Sequence, residues 1–249
     1  MRSLVRHHPR LAVVALVALS VLGLWLVELV QLGRSVEEHR RYWDRPRGEP
    51  GGLLYVALGD SAAQGIGASR PDRGYVGVLA DRIRRSTGQP VQVVNLSASG
   101  GRIDDLLRDQ LPRLRDLRPD VVTVAIGGND VRDLDLATFT TQVQRLTAAL
   151  PAGTLVADVP YFMHGRWQRD AEAAAAAVRT SAAAEQLTVV PLHDALAARG
   201  WTAMVTDFAA DWFHPRDRGH RVWADAFWHA LRDSDLLDVQ PGRTGRTGP

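Results

Sequence analysis

The sequence contains no cysteine and no lysine, so all 30 of its basic residues are arginine. Without cysteine there are no disulfides, no cysteine-ligated zinc, no iron–sulfur clusters and no thiol nucleophile. The redox compartment stays open, because a chain without thiols is at home in either. Without lysine there is no Walker A phosphate loop, no Schiff base with pyridoxal phosphate and no Ser–Lys dyad. Excess charge is also scarce. The 28 acidic residues leave a formal net charge of +2, and the pI near 9.5 reflects arginines that never lose their proton. This balance does not point to nucleic acid, which calls for a concentrated basic face. His7-His8, His220 and His229 lack the spacing to carboxylates that would specify a metal. Gly65-x-Gly67 lacks the third glycine of a dinucleotide loop, since Arg70 occupies its place. No metal, organic cofactor or internal repeat is implied. At 249 residues and 45% hydrophobic content, the chain fits one packed domain with room for extra segments.

The first of those segments is N-terminal. Arg2, Arg6 and Arg10 precede a run from 11 to 30 interrupted only by Ser20, Gly23 and Glu28. About twenty residues at 1.5 Å each just span a hydrocarbon layer of roughly 30 Å. Glu28 sits near the end of the run, and Trp25, Tyr42 and Trp43 place amphipathic rings around that boundary. Residues 1–33 therefore read as a short basic tail and a single transmembrane helix. A signal peptide cleaved near Ala18-Leu19-Ser20 is the alternative, which would make the protein secreted. A core helix is a third reading, disfavoured because the run is apolar on every face. Arginines flank the run on both sides, so charge does not place the large domain outside; the short tail and the look of a signal anchor do. Residues 34–52, polar and ending in Pro50-Gly51-Gly52, read as a linker that starts helical. Residues 237–249 bury no apolar area and read as a disordered tail.

Between these lie five short β-branched runs, at 53–58, 91–95, 121–126, 154–159 and 187–192, each bounded by Gly, Pro, Asp or Asn. Stretches of helical spacing alternate with them, at 75–85, 103–117, 139–150, 169–186 and 218–231. The alternation predicts a parallel sheet covered on both faces, with ligands bound beyond the carboxyl ends of the strands. That edge receives Gly59-Asp60-Ser61 after the first run, Gly100-Gly101 after the second and Gly127-Gly128-Asn129-Asp130 after the third. Asp211-Trp212-Phe213-His214-Pro215 stands just before the last helix. Alone, each reads equally well as a turn or a helix cap. Together they fall in order on one edge.

Together they also resemble the SGNH hydrolases, the GDSL-type esterase/lipase family, over about residues 53–232. The resemblance implies a three-layer α/β sandwich with a five-stranded, flavodoxin-like parallel sheet across residues 53–236. It implies Ser61 as nucleophile, His214 as base and Asp211 as its partner. The oxyanion donors would be Ser61, Gly100 and Asn129. Two features depart from common patterns. Arg216 follows His-Pro where a small or amide residue is usual, and Ala63 replaces the last glycine of the elbow found in ordinary α/β-hydrolases.

The chemistry fits. A serine hydroxyl is a weak nucleophile until a base takes its proton. A carboxylate three residues before the histidine can hold the other ring nitrogen in the useful tautomer. Tyr161, Phe162 and Met163, after the fourth strand, are either core or the wall of an acyl pocket. The expected activity is hydrolysis of a small-molecule, lipid or glycan ester by a single-pass membrane protein. An O-deacetylase of polysaccharides and a catalytically silent binding domain are the alternatives; the oligomeric state is not encoded in any motif.

Overall fold

The computed structural model describes residues 9–163 and 165–237. Helix α1 runs unbroken over Pro9–Trp43. The strands are β1 Arg47–Gly48, β2 Leu53–Gly59, β3 Val91–Asn95, β4 Val121–Ala125, β5 Leu155–Ala157 and β6 Thr188–Val190, in the spatial order β1-β3-β2-β4-β5-β6. The five strands expected from the sequence are all present and pair in parallel, in the flavodoxin-like order. The sheet has one strand more than expected. β1 adds antiparallel to the outer edge of β3, because the chain leaving α1 must cross that edge to enter β2.

Alternation along β2 sorts the core into two layers. Tyr55 and Ala57 face one side, with Tyr75, Leu79, Trp223 and Phe227. These come from helices α2 (Tyr75–Thr87) and α9 (Asp217–Asp233), and the Tyr75 and Phe227 rings stack 5.1 Å apart. Val56 and Leu58 face the other side, with Phe139, Leu146, Ala174 and Ala175. That layer includes the helical stretch 103–115: α3 (Ile103–Asp105), a π-helical turn (Leu106–Gln110) and α4 (Leu111–Arg115). Its other members are α5 (Leu136–Thr147) and α6 (Gly165–Ala184), where a stripe of alanines lets the helix lie close to the sheet. Two short helices, α7 (Leu192–Ala197) and α8 (Ala203–Thr206), lead into the loop before α9.

The stretch expected as a polar linker is partly built into the domain. Residues 34–43 continue α1, with His39 and Trp43 buried. The polar residues that suggested a tether lie on the outer face, where Arg40 and Arg41 pair with Glu37. Among the described residues one helix, 13–43, is long and apolar enough to cross a membrane. Its most apolar window has a mean hydropathy of 2.6 and is not buried at all, which suits a membrane anchor or a signal segment. The basic segment 1–8 and residues 238–249 of the expected tail lie outside the described residues.

Candidate active site

The turn after β2 carries Asp60 and Ser61, both buried. The Ser61 Oγ lies 2.8 Å from His214 Nε2, and His214 Nδ1 lies 2.5 Å from Asp211 Oδ2. Asp211 Oδ1 accepts the backbone N–H groups of Phe213 (3.1 Å) and His214 (3.0 Å), so one carboxylate shapes its own loop and holds the imidazole. Burial pushes the Asp211 carboxyl up. The hydrogen bond and charge of His214, with the two N–H donors, outweigh that and leave it below the ordinary carboxylate value. Gly67 lets this loop approach. Its φ is +90°, and a Cβ there would sit 2.3 Å from the Pro215 carbonyl oxygen.

Asn129 and Gly100 are held on the same edge. The Asn129 amide donates to the Gly101 carbonyl at 3.0 Å and to Asp60 Oδ2 at 3.4 Å. Gly100 stands between that Gly101 and Ser99, whose hydroxyl donates to Gln64 Oε1 at 2.6 Å. The structure thus brings Ser61, Asp211 and His214 into one hydrogen-bonded chain, with Asn129 tied in through Asp60 and Gly101, and with the neighbours of Gly100, Ser99 and Gly101, bonded to Gln64 and Asn129. Of the three expected wall residues, Phe162 lines the cleft beside Ser61 and stacks on Phe213, whose ring meets His214 edge-on. Tyr161 and Met163 line a separate hollow against Phe208 and Trp223. The cleft at Ser61 is narrow, with about 20 Å³ of free volume between Ala62, Ile126, Gly128, Phe162 and Phe213. That is room for about one water-sized group.

Several supports were missed from sequence. Gln110, buried in the π-helical turn, clamps Gly59 from both sides: Oε1 accepts its N–H at 2.9 Å and Nε2 donates to its carbonyl at 2.8 Å. Asn95 donates to the Ala63 carbonyl at 2.7 Å, and Gln64 donates to that of Ser97 at 2.9 Å. Asp60 accepts the Ala62 N–H at 2.9 Å, and burial pushes its carboxyl up to about 6. Burial does the same to Asp130, also to about 6. For Asn95 and Gln64 the available signal was an amide at the end of an apolar run; Gln110, beside Arg108 and Asp109, carried none. His220, by contrast, is a packed core histidine. It bridges the Tyr75 N–H and the Ile66 carbonyl, and burial lowers its pKa to about 4. No cluster of metal-ligating side chains occurs among the described residues.

The family model of GDSL-like lipase/acylhydrolases matches residues 57–222, about two-thirds of the chain. No curated protein matches the sequence. Similar solved structures include a lipase/acylhydrolase from Enterococcus faecalis, at 19% identity and a TM-score of 0.63 over 77% of this chain and 99% of that one. An acetylxylan esterase from Geobacillus stearothermophilus shares 23% identity, with a TM-score of 0.62 over 73% of this chain and 95% of that one. An α/β-hydrolase enzyme from the metagenome of Lake Arreo shares 21%, with a TM-score of 0.62 over 74% of this chain and 97% of that one.

Proposed function

The chain belongs to the GDSL-like lipase/acylhydrolase family, and from that premise we propose that it is a membrane-anchored serine esterase working through Ser61, His214 and Asp211. The observation that carries the reading is the unbroken chain of hydrogen bonds from Asp211 through His214 to the Ser61 hydroxyl. In the first half-reaction Ser61 Oγ attacks the acyl carbonyl and His214 Nε2 takes its proton. Asp211 holds the imidazole tautomer and steadies the imidazolium. The carbonyl oxygen becomes an oxyanion, bound by the Ser61 and Gly100 N–H groups and the Asn129 amide. For the amide to serve there, its long 3.4 Å contact with Asp60 yields while the 3.0 Å bond to Gly101 keeps it aimed. Collapse expels the alcohol, which leaves with the proton from His214. In the second half-reaction His214 deprotonates a water that attacks the acyl-serine. The carboxylic acid departs and Ser61 recovers its proton.

A second reading specifies the acyl group. The narrow free space beside Ser61 suits an acetyl better than a long chain, and the Geobacillus neighbour is described as an acetylxylan esterase. This supports an O-deacetylase of a glycan or another acetyl ester. For the anchor, the support is the exposed apolar helix ahead of the domain; a domain facing outward is the orientation we propose with it.

The test is the full chain in detergent with p-nitrophenyl esters from acetate to palmitate, beside acetylated glycans. Wild type is expected to turn over short esters and to bind a fluorophosphonate at Ser61, and Ser61→Ala to do neither. An active Ser61→Ala variant would remove the nucleophile. Faster turnover of palmitate than of acetate would remove the short-acyl reading but not the triad. Silence of wild type on every substrate and on the fluorophosphonate would favour a binding domain.

A further inference from the structure

Two oddities of the sequence meet in space. Glu28 is a carboxylate inside the apolar run, and Arg216 departs from the residues usual after His-Pro. The Arg216 guanidinium lies 3.4 Å from Glu28 Oε2. One helical turn away, the Trp25 indole N–H donates to the carbonyl of Ala210 at 2.9 Å, next to Asp211. Helix α1 is therefore docked on the domain by a stripe with spacing four, three, four, three, four: Trp25, Leu29, Leu32, Val36, His39 and Trp43. At its far end, His39 Nδ1 and Trp43 Nε1 meet the Gln64 carbonyl at 3.1 and 3.0 Å. From Trp43 toward Val13, its hydrogen-bond and ion-pair partners on the domain run from Gln64 to Arg216 and Ala210. The rest of the apolar helix stands clear, with Val13 to Leu24 exposed.

The docked stripe and the apolar run overlap. If residues 11–30 fill the hydrocarbon layer, Trp25 lies five residues inside its end, about 7.5 Å at 1.5 Å per residue. Whatever Trp25 touches then lies just inside the edge of the hydrocarbon, beneath the headgroups. It touches the loop that carries Asp211 and His214. That loop and the segment before it also show three large apolar side chains to solvent: Trp201 (77% exposed), Val205 (66%) and Trp212 (48%). Trp212 adopts a left-handed backbone, φ 58°, which costs an ordinary residue energy and here turns an indole outward. Between α1 and the domain runs a groove lined by charged and amide groups, among them Glu28, Gln31, Arg34, Glu38 and Arg216. This polar belt beside an apolar rim matches the two chemistries of a bilayer's surface.

We propose that the rim formed by Trp201, Val205 and Trp212 is a membrane-contact surface, and that α1 holds the catalytic loop against the bilayer on which the protein is anchored. The proposal rests on reading α1 as an uncleaved anchor. Its partner is a lipid surface, and esters displayed at headgroup depth reach Ser61 without leaving it. A tether would let the domain turn freely; the rigid helix gives the active edge one orientation.

The absence of cysteine makes the test direct. Full-length Trp212→Cys, Val205→Cys and Ala152→Cys chains, each labelled with a nitrobenzoxadiazole fluorophore, are reconstituted into phosphatidylcholine/phosphatidylglycerol vesicles. Ala152 is exposed on the turn leading into β5, at the opposite edge of the sheet. Labels at 212 and 205 are expected to emit at shorter wavelength than at 152. Brominated acyl chains should quench them at least threefold more strongly. Equal, water-like emission at all three sites in a chain that resists carbonate extraction would overturn the proposal and leave the anchor standing. Shielding at 212 and 205 without quenching by brominated lipid would also overturn it, because another protein copy would then be the cover. Release of the chain by carbonate would overturn the anchor and the proposal together.

Discussion

Asp60 is the member of the site whose removal has opposite consequences for stability and for rate. It is buried, and burial raises its carboxyl from an ordinary 3.8 to about 6. The sign follows from proton counting. Below pH 3.8 both folded and unfolded chains hold the proton and the group is neutral in its effect. Between 3.8 and about 6 the unfolded chain ionises while the native one does not, so stability falls as pH rises. Above 6 the loss is constant, on the order of 3 kcal/mol. Asp60→Asn cannot ionise and is expected to escape that loss. Its carbonyl can still accept the Ala62 N–H, so the turn survives. At pH 7.5 the variant in detergent should melt about 6–12 °C above wild type, at 2–4 °C per kcal/mol for a chain of this size. At pH 4 the two should melt together. Asp130, raised for the same reason, stays in both proteins and cancels from the difference.

The rate should move the other way. With its oxygen committed to Ala62, the new amide turns an N–H₂ toward Asn129, where Asp60 Oδ2 now accepts at 3.4 Å. Two donors then face each other, and that repulsion, acting against the Gly101 bond, turns Asn129 off its line to the oxyanion. Loss of one such donor lowers kcat about 10²–10³-fold, with KM nearly unmoved because the interaction grows in the transition state. Differential melting at pH 4, 5.5 and 7.5, with initial rates on p-nitrophenyl acetate at pH 8, reads both effects. A melting difference independent of pH would refute the electrostatic account, and an unchanged kcat would refute the coupling to Asn129.

Asn129→Ala should lower kcat by a comparable 10²–10³-fold with little change in KM; a change confined to KM would make it a substrate-positioning group. Asp211→Asn should lower kcat about 10³–10⁴-fold while the fluorophosphonate still reaches the site slowly, because the imidazole loses its tautomer but not its place. Asp207, buried between Arg199 (2.8 Å) and Arg218 (3.2 Å), is a stability residue. Burial raises its carboxyl, but the Arg199 and Thr206 hydrogen bonds prevail and leave it depressed, so its contribution is present above the unfolded pKa and lost as pH falls. Asp207→Ala should cost about 3 kcal/mol at pH 7, and its melting deficit should shrink on acidification. For topology, Ala152→Cys on intact spheroplasts should react with a membrane-impermeant maleimide; protection until lysis would put the domain in the cytoplasm.

The fold was legible because its signals are local. A parallel strand buried on both faces must be apolar throughout, so runs such as Val121–Ala125 announce themselves. The alanines of α6 have little reason to occur in a strand. The sixth strand was not legible: Arg47–Gly48 is two residues long and carries no pattern, and only its register against Val93 and Gln92 makes it a strand. The docking of α1 was hidden for a related reason. Charged residues at 37, 38, 40 and 41 outnumber the inward Val36, His39 and Trp43, and read by composition the stretch is a linker. Read at a spacing of three and four, the same residues are a stripe.

The site divides along the same line. Ser61 and Asn129 lie in short blocks just after strands, and Asp211 and His214 in one just before the last helix, and no tertiary knowledge is needed to pick these blocks out. What holds the blocks to one another is made of pairs far apart in sequence: Gln110 on Gly59, Asn95 on Ala63, Gln64 on Ser97, and Trp43 on Gln64. Each joins an amide or indole to a backbone group at or beyond the carboxyl end of β2 or β3, where the ladder runs out. A buried backbone group must be satisfied somewhere, and a turn that departs from the sheet cannot satisfy it within the sheet. The amides are therefore a consequence of putting Ser61 where substrate can reach it. Gln110 reaches Gly59 from a π-helical turn, an irregularity of the kind frequent at functional sites.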